Sequence, residues 1–547
     1  MKRIGFVLFI AATFSSLAAG QQPVPDIVLF DGKIFTSDAA HPYVQALAIR
    51  GDRIVATGDS AKIKALARTQ TRQIDLGGRT VIPGINDAHY HLFVVPSNFE
   101  LQFRGQDPTW QEVTERLAAA VGREPRGTLI LGEVGPSVFD DPQATRASLD
   151  KLAPDHPVAL RGLTGHYYIL NSAALRMLGV KDNEPDPAGG RFVRSPENGK
   201  LTGMVLEYAA FHLHRRLSEL ATEQEALQQT REFLNAAARL GITTVQNMSI
   251  PVAPDRLVAL YEKAPTPIRV RIIRFLLTNE KGRIAREGRT PAPRPSPLIT
   301  VSGTKWILDG TPIERSSAMR KPYSDRPDSS GWMDFSEKDM EAMLRESLER
   351  NDQLVVHIIG DRTTETFLNA MDATGGKNVW SKCRVRIEHG EGLMPDLIPR
   401  AKELGVVVVQ NPTHFAFREW LVKRWGPERI EQMQPLRSLL EANIPLALGS
   451  DGPFNPYLNI MLASIDPDRP REALTREQAV TAYTLTAAYA EFAEKDKGSL
   501  GPGKLADLAV LSQDIFRVSP EDLPKTESVL TMVGGKIIYD AKVVGAK

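Results

Sequence analysis

His89-Tyr90-His91 places two imidazoles at i and i+2. On a strand that spacing points both side chains to one face. Two imidazoles on one face can grip a single metal ion. A polar strand end would show the same spacing. The pattern recurs at His212-Leu213-His214, within Tyr208 to Leu220, a stretch that reads as helical. Residues two apart on a helix do not face each other, so these two are read as surface or packing residues. His357 closes the apolar run Leu354-Val355-Val356 and precedes Ile358-Ile359-Gly360-Asp361. His389 closes Arg384 to Glu388 and precedes Gly390. Asp451 follows Leu446 to Ser450 and precedes Gly452-Pro453. A carboxylate there could contact a metal and accept a proton from its water, or form the turn that Asp before Gly commonly makes. Lys305 and Asp309 stand four apart, which puts both on one face of a strand. A lysine pointing into a protein interior is costly unless its charge is paired or removed. Carboxylation by CO2 would turn it into an anionic ligand able to bridge two cations.

The elements that must position these residues alternate. Candidate strands in the middle of the chain are 128–131, 158–161, 243–247, 270–275, 299–308, 354–358, 384–388, 406–410 and 446–449. Helical stretches lie between many of them, such as 223–240, 336–350 and 394–404. Strand–helix alternation over several hundred residues predicts an α/β fold with a parallel sheet, and the length favours a closed TIM (β/α)8 barrel. An open Rossmann-like sheet is the alternative, but no glycine fingerprint follows an early strand. Each candidate His ends a strand, where barrel enzymes keep their catalytic residues. Residues 96–240 are too long for one βα unit and are expected to form an insertion over the barrel mouth. Short strands also open and close the mature chain: 26–30, 33–36, 45–49 and 53–57, then 505–511 and 528–539 with Gly534-Gly535 at a hairpin turn. One small β-sandwich domain built from both termini is expected. The division expected is a leader at 1–20, sandwich at 21–78, barrel at 79–496 and sandwich again at 497–547.

The chain has 547 residues, 42% hydrophobic and 24% charged, as expected of a large globular protein. Lys plus Arg (67) and Asp plus Glu (66) nearly cancel, so no basic excess points to nucleic acid. The start MKRIGFVLFIAATFSSLAAG has a positive beginning, an apolar stretch and a small-residue cleavage site at Ala18-Ala19-Gly20. That is a secretory signal pattern, predicting a periplasmic or secreted protein that leaves the membrane after cleavage. A membrane anchor needs roughly 20 apolar residues, more than this run supplies. Cys383 is the single cysteine, which excludes an internal disulfide and an all-Cys metal site.

The motifs PGINDAHYH (83–91), TGHYYILNSAAL (164–175), TGMVLEYA (202–209), GITTV (241–245), KWILDGT (305–311), VHIIGD (356–361), RIEHG (386–390), LGSDGP (448–453) and GSLGPGKLADLAVL (498–511) occur in that order. Together they resemble the amidohydrolase superfamily, and within it the YtcJ-like branch (amidohydrolase family 3), which includes N-substituted formamide deformylases. The resemblance implies metal ligands at His89 and His91 on strand one, Lys305 on strand four, His357 on strand five, His389 on strand six and Asp451 on strand eight. It also implies that the terminal β-parts join in one sandwich. Glu207 in TGMVLEYA is a substitute for Lys305, or a supporting or packing residue. His166 in TGHYYILN is a catalytic candidate that would bind the substrate carbonyl. Arg315, Tyr323 and His414 are candidates for the substrate pocket, beside ordinary loop or packing roles. His41 and His156 are assigned nothing.

These ligands suit a divalent metal, zinc by default and manganese, iron or cobalt as alternatives, in one or two ions. Such a centre lowers the pKa of its water from near 15.7 to roughly 7. The reaction expected is hydrolysis of a non-peptide, amide-like C–N bond in a small molecule, with Asp451 passing the water's proton to the leaving nitrogen. An esterase, lactonase or deaminase on the same centre is the rival, followed by an inactive exported binding protein. Neither a G-x-S-x-G elbow nor an H-E-x-x-H helix occurs. A homodimer is compatible with this reading.

Overall fold

The structure is a computed structural model that describes residues 24–284, 291–466 and 469–546. The leader expected at 1–20 lies outside these residues. At the centre stand eight parallel strands: β1 (Ile85–Tyr90), β2 (Ile242–Asn247), β3 (Arg269–Phe275), β4 (Ile299–Ile307), β5 (Leu354–Ile358), β6 (Arg386–His389), β7 (Val407–Gln410) and β8 (Leu446–Leu448). Each hydrogen-bonds to the next in chain order. Most are buried along their length, β2, β5, β6, β7 and β8 completely, because a parallel barrel strand is covered on both faces. The expected (β/α)8 barrel is therefore present.

β8 and β1 complete the circle by backbone contacts at their ends. The Asp451 amide donates to the His89 carbonyl at 2.9 Å, and the Ser450 amide to Asp87 Oδ1 at 2.8 Å. The strands approach so closely that a Cβ at Gly449 would lie 2.4 Å from that of His89. The seam and the first expected ligand thus share one contact.

Helices between strands carry ordinary start signals. Glu223–Arg239 and Glu337–Arg350 each begin with a capping box, Thr222 with Glu225 and Ser336 with Asp339. The helix expected at 394–404 is shorter, Ile398–Glu403, with proline in its first turn. Between β1 and β2 lies a six-stranded sheet spanning Phe99 to Glu207. The candidate strands at 128–131 and 158–161 belong to this insertion rather than to the barrel. One face of the sheet packs on Tyr208–Glu219, the helix containing His212 and His214, and the other on Trp110–Arg123.

The two ends of the chain interleave in two further sheets. Gly545–Ala546 pairs with Arg72–Asp75, and Leu508–Leu511 with Thr80–Pro83. Leu29, Ile49, Ile74, Leu508 and Met532 share one core between them. Thr80–Pro83, on the barrel side of the boundary expected at 78/79, pairs inside this sandwich. Among the described residues no helix is long and apolar enough to cross a membrane.

The closing contact can be tested. Gly449→Ala must push β1 away from β8, and overpacking of this kind costs about 1–3 kcal/mol. Its thermal midpoint should fall clearly below that of Gly501→Ala, where an added Cβ meets nothing within 4 Å. Equal midpoints would show that the seam has slack.

Candidate metal centre

His89 is the penultimate residue of β1, and its ring is fully buried. Its Nδ1 lies 2.6 Å from Glu388 Oε2 on β6. Arg386, two residues earlier on β6, donates to both Glu388 oxygens at 2.9 and 3.1 Å and to the Ala88 carbonyl at 2.8 Å. Burial works against the Glu388 charge, yet Arg386 and then His89 hold the carboxyl down at about 2. Glu388 is therefore an acceptor only, and Nδ1 of His89 must donate to it. Burial, with Lys305 nearby, keeps the His89 ring neutral, so its Nε2 carries a bare lone pair.

His91 reaches the same state by another route. Its Nδ1 lies 2.8 Å from the Met248 carbonyl oxygen and must donate to it. Burial pushes His91 down to about 3. The two Nε2 atoms face each other at 3.1 Å. Neither has a hydrogen to offer, so the contact sets lone pair against lone pair. A cation between them resolves it, and the spacing suits two nitrogens each about 2.0–2.1 Å from one ion.

Three more groups converge here. The His89 and His389 rings lie 4.9 Å apart, and those of His357 and His389 4.4 Å apart, centroid to centroid. His357 Nε2 and His389 Nδ1 are buried and, among the described residues, have no hydrogen-bond partner, which is costly unless a bound group satisfies them. Asp451 Oδ1 lies 3.8 Å from His89 Nε2 and 3.7 Å from His91 Nε2. Burial works upward on Asp451, but His89 first, then His414 and His91, hold its carboxyl well below the usual range. His89, His389 and Asp451 offer ligand atoms all within 4.8 Å of one another. Orphaned imidazole nitrogens around a charged carboxylate fit a divalent metal.

Lys305 points from β4 into the same cavity of about 320 Å3. Burial pushes its amine down to about 8, and its Nζ donates to Met248 Sδ at 3.3 Å. The strand face expected to hold both Lys305 and Asp309 does not reach Asp309. β4 ends at Ile307, and Asp309 turns away to accept from the Ile359, Gly360 and Ala318 amides and the Thr363 hydroxyl. Asp309 thereby fixes the loop that follows His357.

The four pocket candidates divide evenly. His166 lines the cavity, its ring 5.1 Å from that of His357. Its Nδ1 lies 2.5 Å from Glu207 Oε2, so Glu207 supports His166 and not the Lys305 position. Burial opposes the His166 charge, but Glu207 raises its pKa. His414 also lines the cavity, between Glu391 at 2.7 Å and Asp451 at 3.5 Å. Despite burial, hydrogen bonds to these two push it up to about 10. Arg315 and Tyr323, by contrast, are absent from the lining. Asp140 from the insertion and Asp325 take both ends of the Arg315 guanidinium at 2.8 Å, because a buried cation needs carboxylates more than it needs the cavity. Ser317 takes the Tyr323 hydroxyl at 2.6 Å.

Glu388, Met248 and Glu391 were not anticipated from the sequence. Glu388 had a signal: Arg386 and Glu388 stand at i and i+2 on a strand, so their opposite charges share a face. His214, read as a packing residue, does pack, but its ring also lines the cavity.

A match to the amidohydrolase family spans residues 72–539. The chain belongs to this family. YtcJ of Bacillus subtilis (strain 168) is 28% identical, covering 93% of this chain and 98% of its own length. N-substituted formamide deformylase of Arthrobacter pascens is 26% identical, covering 94% and 98%. In fold, an uncharacterized metal-dependent hydrolase from Pyrococcus horikoshii superposes with a TM-score of 0.69 at 22% identity, covering 90% of this chain and 99% of that one.

Orientation of the His89 ring by Glu388 predicts a measurable effect on metal affinity. Partners of this kind are typically worth about 10- to 100-fold. Glu388→Gln should weaken zinc binding by that factor in a titration against a competing chelator, with the circular dichroism spectrum retained. Unaltered affinity would mean that packing alone orients His89.

Proposed function

We propose that this amidohydrolase-family protein hydrolyses a C–N bond in a small, non-peptide, amide-like substrate at a divalent metal centre of one or two ions, zinc by default, and works outside the cytoplasm after losing its leader. The observation that carries this reading is the pair of Nε2 lone pairs held 3.1 Å apart beside Asp451. The name of the Arthrobacter pascens relative, a formamide deformylase, supports the choice of bond.

His89, His91, His357, His389 and Asp451 would hold the metal, with Lys305 as a further, carboxylated ligand. Among the described residues the Lys305 amine has only a thioether as hydrogen-bond partner, a weak acceptor for an ammonium group. When bound, the metal supplies Lewis acidity that polarises the carbonyl and acidifies water. The remaining steps belong to the protein. His166, held by Glu207, donates to the substrate carbonyl oxygen. Asp451 takes the proton of the attacking water and returns it to the leaving nitrogen. His414, anchored on Glu391, faces the second Asp451 oxygen and keeps the carboxylate aimed into the cavity. The same arrangement would serve an ester, a lactone or a deamination, so the bond is decided by screening formamides, other N-acyl amines and cyclic amides against the esters.

Hydrolysis should vanish on chelation and return with zinc. Asp451→Asn should retain metal while losing about 10²- to 10⁴-fold in kcat, the usual worth of general acid–base catalysis. A metal-loaded Asp451→Asn protein that turns over at the parent rate would make Asp451 a turn-former and refute the proton path.

A further inference from the structure

The metal cavity does not end at the metal. A second chamber of about 380 Å3 adjoins it, sharing His91, Phe93, Glu133, Arg161, His214 and Asp451. Its outer wall is one face of the insertion sheet. The register sets Glu100 beside Leu131, Leu131 beside Ala159, Glu133 beside Arg161, and Arg161 beside Tyr168. With a side-chain period of two, these six residues fall on one face, and all six line the chamber.

The boundary between the chambers is built. The Arg161 guanidinium lies 4.7 Å from the centre of the Phe93 ring. The Phe93 ring meets His214 edge-on at 5.7 Å. His214 is pinned on both nitrogens: Nε2 donates to the Gly165 carbonyl at 2.9 Å, so Nδ1 accepts from the Tyr168 hydroxyl at 2.8 Å. Beyond this boundary Leu131, Ala159, Tyr168, Val95 and Leu217 make most of the surface apolar.

The charges in the chamber do not balance. Arg161 forms an ion pair with Glu133. Glu100 stands on the next strand, exposed; among the described residues its carboxylate has no hydrogen-bond donor or salt bridge, and Arg161, the cation whose field reaches it, is the one already paired with Glu133. One negative charge is left over at the far side from the metal ligands. An anionic group would meet two carboxylates there and an arginine already engaged. A cation would meet a carboxylate that shares its only nearby arginine, among the described residues, with Glu133.

We propose that the second chamber is a subsite for the distal arm of the substrate, and that it selects an arm that is apolar along its length and ends in an ammonium or similar cationic group. The inference rests on the C–N hydrolysis assigned above, with the reacting carbonyl at the metal ligands and the arm passing Phe93 towards Glu100.

The test uses the zinc-loaded protein and three formamides of one length: N-hexylformamide and its counterparts ending in ammonium and in carboxylate. The ammonium-ended compound should exceed the methyl-ended one about fivefold in kcat/KM, the upper end for a solvent-exposed charge pair. The carboxylate-ended compound should fall below both. In Glu100→Gln the ammonium-to-methyl ratio should drop to about one, and in the parent protein it should shrink as salt is raised. A ratio indifferent to Glu100, or a preference for the carboxylate, overturns the proposal. Calorimetry with hexylamine against 1-hexanol separates the two inferences. Tighter, Glu100-dependent binding of the amine supports the subsite even if no formamide is hydrolysed, in which case the reaction assigned above fails. Equal binding of the amine and the alcohol removes the subsite whatever the reaction.

Discussion

A neutral imidazole offers a lone pair from one nitrogen only, and the group accepting from the other nitrogen decides which. The site depends on that constraint being met twice, at His89 by Glu388 and at His91 by the Met248 carbonyl. Glu388 can be a dependable acceptor only while it stays ionised in a fully buried position, and Arg386 provides for that. A buried ion pair is weak evidence for stability, because its desolvation offsets much of its attraction. Its value here is orientation. Arg386 also reaches the Ala88 carbonyl on β1 and the Gln246 side chain on β2, so one guanidinium ties β6 to β1 and β2 beneath the cation position.

The barrel was legible because its strands are short, apolar runs with little alternation, such as Leu354 to Ile358 and Val407 to Gln410, separated by helices with explicit start signals. The His and Asp residues of the centre were legible because each closes such a run. Arg315 and Tyr323 lie outside the cavity lining, because proximity in sequence to a strand end says nothing of which partner claims a side chain. Asp140 lies 175 residues from Arg315, and no local pattern connects them. The strand face expected to hold both Lys305 and Asp309 stops short for a different reason: the strand ends at Ile307, so the period of two does not carry to position 309.

The insertion was legible as an excess of length but not as a surface. Its strands are covered on both sides, by the helix Tyr208–Glu219 on one face and by Trp110–Arg123 on the other. Apolar residues on both faces erase the alternation that would have shown which side chains turn inward. Only the register of 99–100 against 130–134 and of 130–134 against 158–162 reveals that Glu100, Glu133 and Arg161 share a face. The chamber is thus a property of strand pairing rather than of any motif.

Backbone conformation explains how adjacent residues of β6 come to serve one site. Strict alternation would turn Ile387 and His389 away from the interior face that holds Arg386 and Glu388. His389 has φ +68°, outside the strand region, and its ring lies 4.9 Å from that of His89. The left-handed turn ends the alternation and returns the ring to the centre. Asp451, with φ +53°, does the same after β8. Glu207, with φ +50°, marks the change from strand to helix beside His166. For residues other than glycine such conformations cost of order 1–3 kcal/mol each and persist where the surroundings over-determine them. The Asp451 turn is fixed by its amide bonding to the His89 carbonyl, and the Glu207 turn by its amide bonding to the His166 carbonyl. In both, the hydrogen bond that holds the strained residue ends on a histidine of the site, so the strain and the aim of the side chains are maintained by the same contact.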